Sequence, residues 1–279
     1  MARSLVTTSG ALRPEAVREA AQLFSRGELI EVHVPGEGFE EEQRARAAIY
    51  TGDDVVYSVR DGKRLSLSLS KNIILHFFVN HALVSAAFLM RPATTVEPDV
   101  LRERVLALSR LFKFEFLFRA DATFDRIFND TLTAMLGAGE LTVVGEQALT
   151  FGPGHHQLSG RGWVVFYADI LLPFLEGYRV AARTATSLLK GPLLTKDFLK
   201  RALVVGDRMF LEGDISRREA VTRPVLENAL LALQDQQLVQ SREGKISLSP
   251  PFDSSETVTA IEGRIRSFLG HVPEEEGGA

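Results

Sequence analysis

The chain switches between two hydrophobic periods, and the switch recurs three times. Residues 14 to 26 follow a helical period and lead through Gly27-Glu28 into the alternating Leu29-Ile30-Glu31-Val32-His33-Val34. Thr123 to Ala138 read as a helix and lead through Gly139-Glu140 into Leu141-Thr142-Val143-Val144, a turn at Gly145-Glu146, and Ala148-Leu149-Thr150-Phe151. Val225 to Gln236 read as a helix before Leu238-Val239-Gln240-Ser241, a turn at Arg242-Glu243-Gly244, and Lys245-Ile246-Ser247-Leu248. A helix followed by a hairpin is the closing half of a winged-helix unit. The first copy carries a charged, glycine-containing insertion from Pro35 to Ala48, predicted to be a mobile loop. The third copy is the best formed: Thr195 is expected to cap a helix through about Leu211. Ser216-x-x-Glu219 is expected to form a capping box for a short helix, and Thr222 with Pro224 to start the next.

Between the copies the pattern predicts longer helices over 73–90, 99–113 and 163–189, with Pro98 at the first turn of the second. The run to Met90 is almost wholly apolar, yet Asn72, His76 and Asn80 stack one turn apart, and His81 and Ser85 form a second polar row. Buried polar groups need partners, so this reads as a core or docking helix with a structural polar seam. In 163–189, Glu176, Arg179 and Arg183 share a face and are expected to pair. Phe112, Phe114, Phe116 and Phe118 fit strand or helix, with a helix ending in an extended, buried segment favoured. The expected fold is mainly α with small β-hairpins (α+β), a helical scaffold with two to three winged-helix-like units. Its divisions are 1–70 (helix, hairpin and charged insertion), 71–191 (helical core with the second unit), 192–250 (third unit), 251–270 (C-terminal helix) and 271–279 (disordered acidic tail).

Composition narrows the classes. A 279-residue chain with 45% hydrophobic and 24% charged residues can bury a sizeable core, and a net charge of −4 supplies no global basic field for nucleic acid or anionic lipid. The absence of cysteine excludes disulfides and thiolate metal sites and fits a reducing compartment. Met1 to Val6 lack the apolar core of a signal peptide. The histidines and asparagine in 73–90, and Asp169 and Pro173 in 163–175, argue against a transmembrane helix.

Several segments, in order, carry a family resemblance: Lys71-Asn72-Ile73-Ile74-Leu75-His76-Phe77-Phe78 with its Ala-Leu-Val continuation, Leu108 to Phe116, Arg119-Ala120-Asp121-Ala122, and Pro173 to Val180. Over roughly residues 12 to 240 the chain resembles the region after the catalytic domain in bacterial and mitochondrial-type glycerol-3-phosphate acyltransferases. For Leu65, Leu67 and Leu69, which alternate with serines, periodicity argues strand and the resemblance argues the start of a helix. The family's reaction transfers an acyl chain from acyl-CoA or acyl carrier protein to glycerol 3-phosphate in phospholipid synthesis. Its general base is the histidine of a His-x-x-x-x-Asp box. Here the residues five positions after His33, His76, His81, His155, His156 and His271 are Gly38, His81, Ala86, Gly160, Arg161 and Glu276, and the Phe-Pro-Glu-Gly box is also missing. The resemblance therefore implies a non-catalytic scaffold or regulatory region, inactive alone, whose partner is an acyltransferase domain encoded upstream or separately. It also implies a cytoplasmic place, peripheral at the inner face of the membrane.

Other candidate chemistry is weaker. His76 and His81 lie about 140° apart around a helix and do not converge on a metal. His155-His156 reads as a surface turn with no acidic ligand near in sequence, so no metal site and no cofactor is expected. Lys113, Glu115 and Arg119, with Glu176 and Arg179, are candidates for partner contact, against the plainer reading of ion pairs inside the chain. Asp169 and Glu176 lack a nucleophile for acid–base work. The alternative function is a winged-helix DNA-binding or signalling regulator; Arg217, Arg218 and Arg223 suit a DNA-reading winged helix, but Val225 to Asp235 offers two acids and no cation. No specific nucleic acid is expected.

Overall fold

The computed structural model describes residues 21–33, 56–60, 62–63, 75–90, 95–116, 121–156 and 158–270. The chain divides into two compact units, 1–73 and 74–279. In the first, a helical turn over 21–26 ends at Gly27-Glu28, where Glu28 takes φ 56° and the Leu29 N–H donates to the Phe24 carbonyl at 2.9 Å. Strand β1 (Ile30–His33) then pairs antiparallel with β2 (Val56–Val59), Ile30 opposite Val59 and His33 opposite Val56. His33 Nε2 and Ser58 Oγ meet across the ladder at 2.7 Å. The segments 35–48 and 65–70 lie outside the described residues.

The second unit is mainly helical with small antiparallel sheets, as the periodicity predicts. Its elements are α1 (Val79–Phe88), β3 (Thr95–Val96), α2 (Pro98–Leu111), α3 (Phe124–Gly137), β4 (Leu141–Val144) and β5 (Ala148–Phe151). The long α4 (Gly160–Ala185) follows, then β6 (Leu193–Leu194), α5 (Thr195–Leu211), α6 (Arg223–Asp235), β7 (Val239–Arg242), β8 (Lys245–Leu248) and α7 (Ser255–Arg266). Helix α4 is the axis. Ser159 caps it by accepting the Gly162 N–H at 3.1 Å, and every residue from Leu171 to Ala182 is buried. A helix apolar nearly all round must be enclosed by others, and that enclosure carries it past Pro173, which has no N–H to donate. Helices α1, α5, α6 and α7 pack around it.

Two glycines mark where those neighbours come closest. A Cβ on Gly177 would stand 2.4 Å from Val225 Cγ1 and 2.7 Å from the Ala220 carbonyl. One on Gly206 of α5 would stand 2.6 Å from Val221 Cγ1. Both hairpins form where alternation places them, and Glu243 (φ 50°) and Gly244 (φ 72°) give the β7–β8 turn its two left-handed residues. The sheet orders β3-β5-β4 and β6-β8-β7 share one plan, in which a two-residue edge strand ahead of a helix joins the second hairpin strand. Two residues carry no readable period, so neither edge strand was expected. One hydrophobic core runs from Leu75 to Leu269, so residues on both sides of the expected divisions at 191/192 and 250/251 share it.

Several local expectations are corrected. The apolar run is not one α-helix over 73–90. Leu75–Phe77 forms a 3-10 turn, Phe78 interrupts, and α1 begins at Val79, so His76 and Asn80 do not stack in one α-helical row. Thr195 is the first residue of α5 rather than its cap; Leu194 holds the cap position, and the Thr195 hydroxyl donates to the Gly244 carbonyl. Ser216 and Glu219 form no capping box, because a 3-10 turn over Arg218–Ala220 replaces the helix. Beyond Leu111 the chain turns instead of extending, with Phe112 fully buried and Phe114 partly exposed. Helix 163–189 is an α-helix to Ala185 and a 3-10 turn over Thr186–Lys190.

Candidate functional site

Helix α4 carries three polar clusters out of an otherwise apolar core, and each ties a separate element to it. The first lies near its start. Glu140, just ahead of β4, is buried, and its Oε1 is 3.3 Å from both His155 Nε2 and the Tyr167 hydroxyl. Its other carboxylate oxygen is also buried and has no hydrogen-bond partner. The His155 ring stacks on Trp163 at 4.5 Å, and the indole N–H donates to the His155 carbonyl at 2.9 Å. His81 of α1 packs on Tyr167 at 5.2 Å; burial pushes its imidazole below the ordinary value, while the Glu140 charge pulls the other way. Burial and then Glu140 push the Tyr167 phenol upward. The pairing was invisible in sequence because Glu140 stands fifteen residues before His155. The one available signal was the Gly139-Glu140 turn ahead of the hairpin.

The second cluster joins the end of α2 to α6. Glu115 Oε2 accepts from Asn228 Nδ2 at 3.0 Å and lies 3.5 Å from the Tyr178 hydroxyl. Burial raises the Glu115 carboxyl to about 6, against the lowering effect of those hydrogen bonds. Lys113 Nζ reaches Asp235 at 2.7 Å. Lys113 and Glu115 thus have partners inside the chain, while Arg119 lies outside the described residues.

The third cluster corrects the expected pairing along α4. Glu176 does not meet Arg179 or Arg183. Its Oε1 accepts the Ser216 N–H and hydroxyl at 2.7 and 2.9 Å, and its Oε2 the Arg217 N–H at 2.8 Å, which satisfies the backbone entering the 3-10 turn. Burial raises the Glu176 carboxyl against these donors. Arg179 and Arg183 instead reach Glu262 of α7, with Nε–Oε1 distances of 3.1 and 2.9 Å, and both also bind Asp214. Burial would raise the Asp214 carboxyl, but Arg183 and then Arg179 hold it below its usual range.

Of the expected seam, Asn72 lies outside the described residues, and His76 falls in the 3-10 turn. Asn80 is half-buried and lines an apolar pocket of about 250 Å³ with Leu83, Val105, Phe124 and Phe128. Asn80 is not among the residues of the α4 clusters. Among the described residues no three histidine, aspartate or glutamate side chains converge as a metal site, and no helix is long and apolar enough to cross a membrane. Helix α6 faces inward through Val225, Leu226, Ala229, Leu230 and Leu233, and Arg223 pairs with Glu227 at 2.7 Å.

Comparison with known proteins agrees with the resemblance. Over 203 residues the chain is 26% identical to proteins named "Putative acyltransferase plsB1" from Mycobacterium bovis (strain ATCC BAA-935 / AF2122/97) and Mycobacterium tuberculosis (strain ATCC 25618 / H37Rv). The match covers 69% of this chain and 31% of each relative, so the chain spans less than a third of the length of the curated relatives it matches. The model of the glycerol-3-phosphate acyltransferase C-terminal region matches residues 6–242, and the chain belongs to that family.

Proposed function

We propose that this chain is a non-catalytic scaffold that packs on and stabilises an acyltransferase domain. The observation that carries the reading is the family match to a C-terminal region, in a sequence where no histidine is followed five residues later by aspartate. The α4 clusters support it, because Glu115, Glu176 and Glu262 are held by an asparagine and a phenol, backbone N–H groups and arginines inside the chain, and one oxygen of Glu140 by a histidine and a phenol. A general base needs an acceptor hydroxyl within reach and a site for the substrate phosphate. The two sheet-bearing units act, in this reading, as winged-helix-like modules for protein contact rather than for DNA. With α6 facing the core and Arg223 neutralised by Glu227, that helix offers little counterion release to a polyanion. The place of action is peripheral, at the cytoplasmic face of a membrane, where the domain would meet acyl donor and glycerol 3-phosphate.

The test is association. The probe is the part of the Mycobacterium tuberculosis relative outside the matched segment, which on this reading carries the acyltransferase domain. Mixed with this chain it should form a stoichiometric complex and melt at a higher temperature than alone, because binding to the folded state stabilises it. No complex at micromolar concentrations, together with an unchanged melting temperature, would refute the proposal.

A further inference from the structure

The Glu140 cluster has an outer side. Leu158, Phe166 and Phe78 are 42%, 52% and 37% exposed. They adjoin one another through the rings that Glu140 holds from behind. Phe78 lies 6.4 Å from Tyr167, Tyr167 lies 5.6 Å from Phe166, and Phe166 lies 5.7 Å from Trp163. Leu158 packs over the first turn of α4, where its side chain would come within 3.2 Å of a Cβ on Gly162. Isolated exposed apolar residues are ordinary, but a contiguous aromatic patch marks a contact surface. This patch is preformed. Trp163, Phe166 and Tyr167 stand on one helix, and the Tyr167 hydroxyl and His155 ring are fixed on Glu140. Little side-chain entropy remains to be lost on docking.

We infer that this aromatic platform is the surface that receives the acyltransferase domain, an assignment that rests on the scaffold reading above. The relatives name the occupant. The family match is to a C-terminal region, and the matched segment covers 31% of the relatives, so about two thirds of each relative lies outside it and, in this reading, includes the acyltransferase domain. At the rim, Arg161 is exposed and has no carboxylate partner among the described residues. The facing surface is therefore apolar at its centre with a carboxylate at its edge. Such a contact depends on the aromatic anchors and only weakly on salt.

The experiment immobilises the acyltransferase portion of the Mycobacterium tuberculosis relative and measures binding of the full chain by interferometry. Phe166→Ser and Phe78→Ser are compared with Val204→Ser, a 69% exposed residue of α5. Each platform variant should weaken binding at least tenfold while Val204→Ser leaves it unchanged. If the wild-type chain binds and the platform variants bind equally well, the surface assignment fails and the scaffold reading stands. If the wild-type chain does not bind at all, both fail. A dimer seen by light scattering that Phe166→Ser dissolves would reassign the platform to a second copy. Sedimentation with phosphatidylcholine–phosphatidylglycerol vesicles that Phe166→Ser abolishes would reassign it to lipid. Either result overturns the inference.

Discussion

Replacing Glu115 by glutamine should make the protein relatively more stable at neutral pH than at acid pH. Glu115 is held between Asn228 and Tyr178 under the end of α2, and burial raises its carboxyl from 4.5 to about 6. The fold therefore prefers the protonated acid. That preference is fully satisfied below pH 4.5 and is lost as pH rises through 6, so ionisation at neutral pH costs stability. At about 1.4 kcal/mol per tenfold, a rise of this size corresponds to about 2 kcal/mol. Glutamine keeps an oxygen to accept from Asn228 and Tyr178 but does not titrate. Urea unfolding of both proteins at pH 4.5 and pH 7.5 should show the difference, variant minus wild type, rising by about 2 kcal/mol. Every other titrating group cancels in that difference unless it touches residue 115. A difference that stays flat, or falls with pH, would show that Lys113 or another cation stabilises the charge and that burial does not dominate.

Gly177→Ala should destabilise by about 1–3 kcal/mol in thermal or urea unfolding, since its Cβ would overlap Val225 and the Ala220 carbonyl. Phe112→Ala should cost about 3–5 kcal/mol in the same measurement; its ring is fully buried between Phe116, Phe174 and Tyr178. Glu262→Ala should cost about 1–3 kcal/mol and speed amide exchange in α7, because it removes the nearer of the two carboxylates on the buried Arg179 and leaves Asp214 alone to pair it.

The hairpins were legible because alternation, a glycine turn and a preceding helical period all agreed, and β4, β5 and β8 fall on the expected residues. Helix α4 was legible in its length and in the shared face of Glu176, Arg179 and Arg183. Its partners were not. Periodicity says which side of a helix is polar, but not which distant backbone covers it, so Glu176 was paired along its own helix when Ser216 and Arg217 take it. The same limit hid Glu140 from His155 and Glu262 from Arg183. Helix caps failed for a related reason. Thr195 and Ser216 suit caps by residue type, but Gly244 in the hairpin and Glu176 on α4 compete for them and win. The polar row through Asn72, His76 and Asn80 assumed an unbroken helix, and the turn at Leu75–Phe77 removes that premise. The family was legible in the order of several segments, because relatedness at 26% identity survives in scattered blocks more than in one motif.

On the proposed reading, this chain supports acyl transfer without performing it. Purified chain, the acyltransferase portion of the Mycobacterium tuberculosis relative, and the two together should each be given acyl-CoA and radiolabelled glycerol 3-phosphate. The chain alone should form no lysophosphatidate above buffer, and adding it to the domain should raise or prolong the domain's turnover. Turnover by the chain alone that survives repurification would contradict the account.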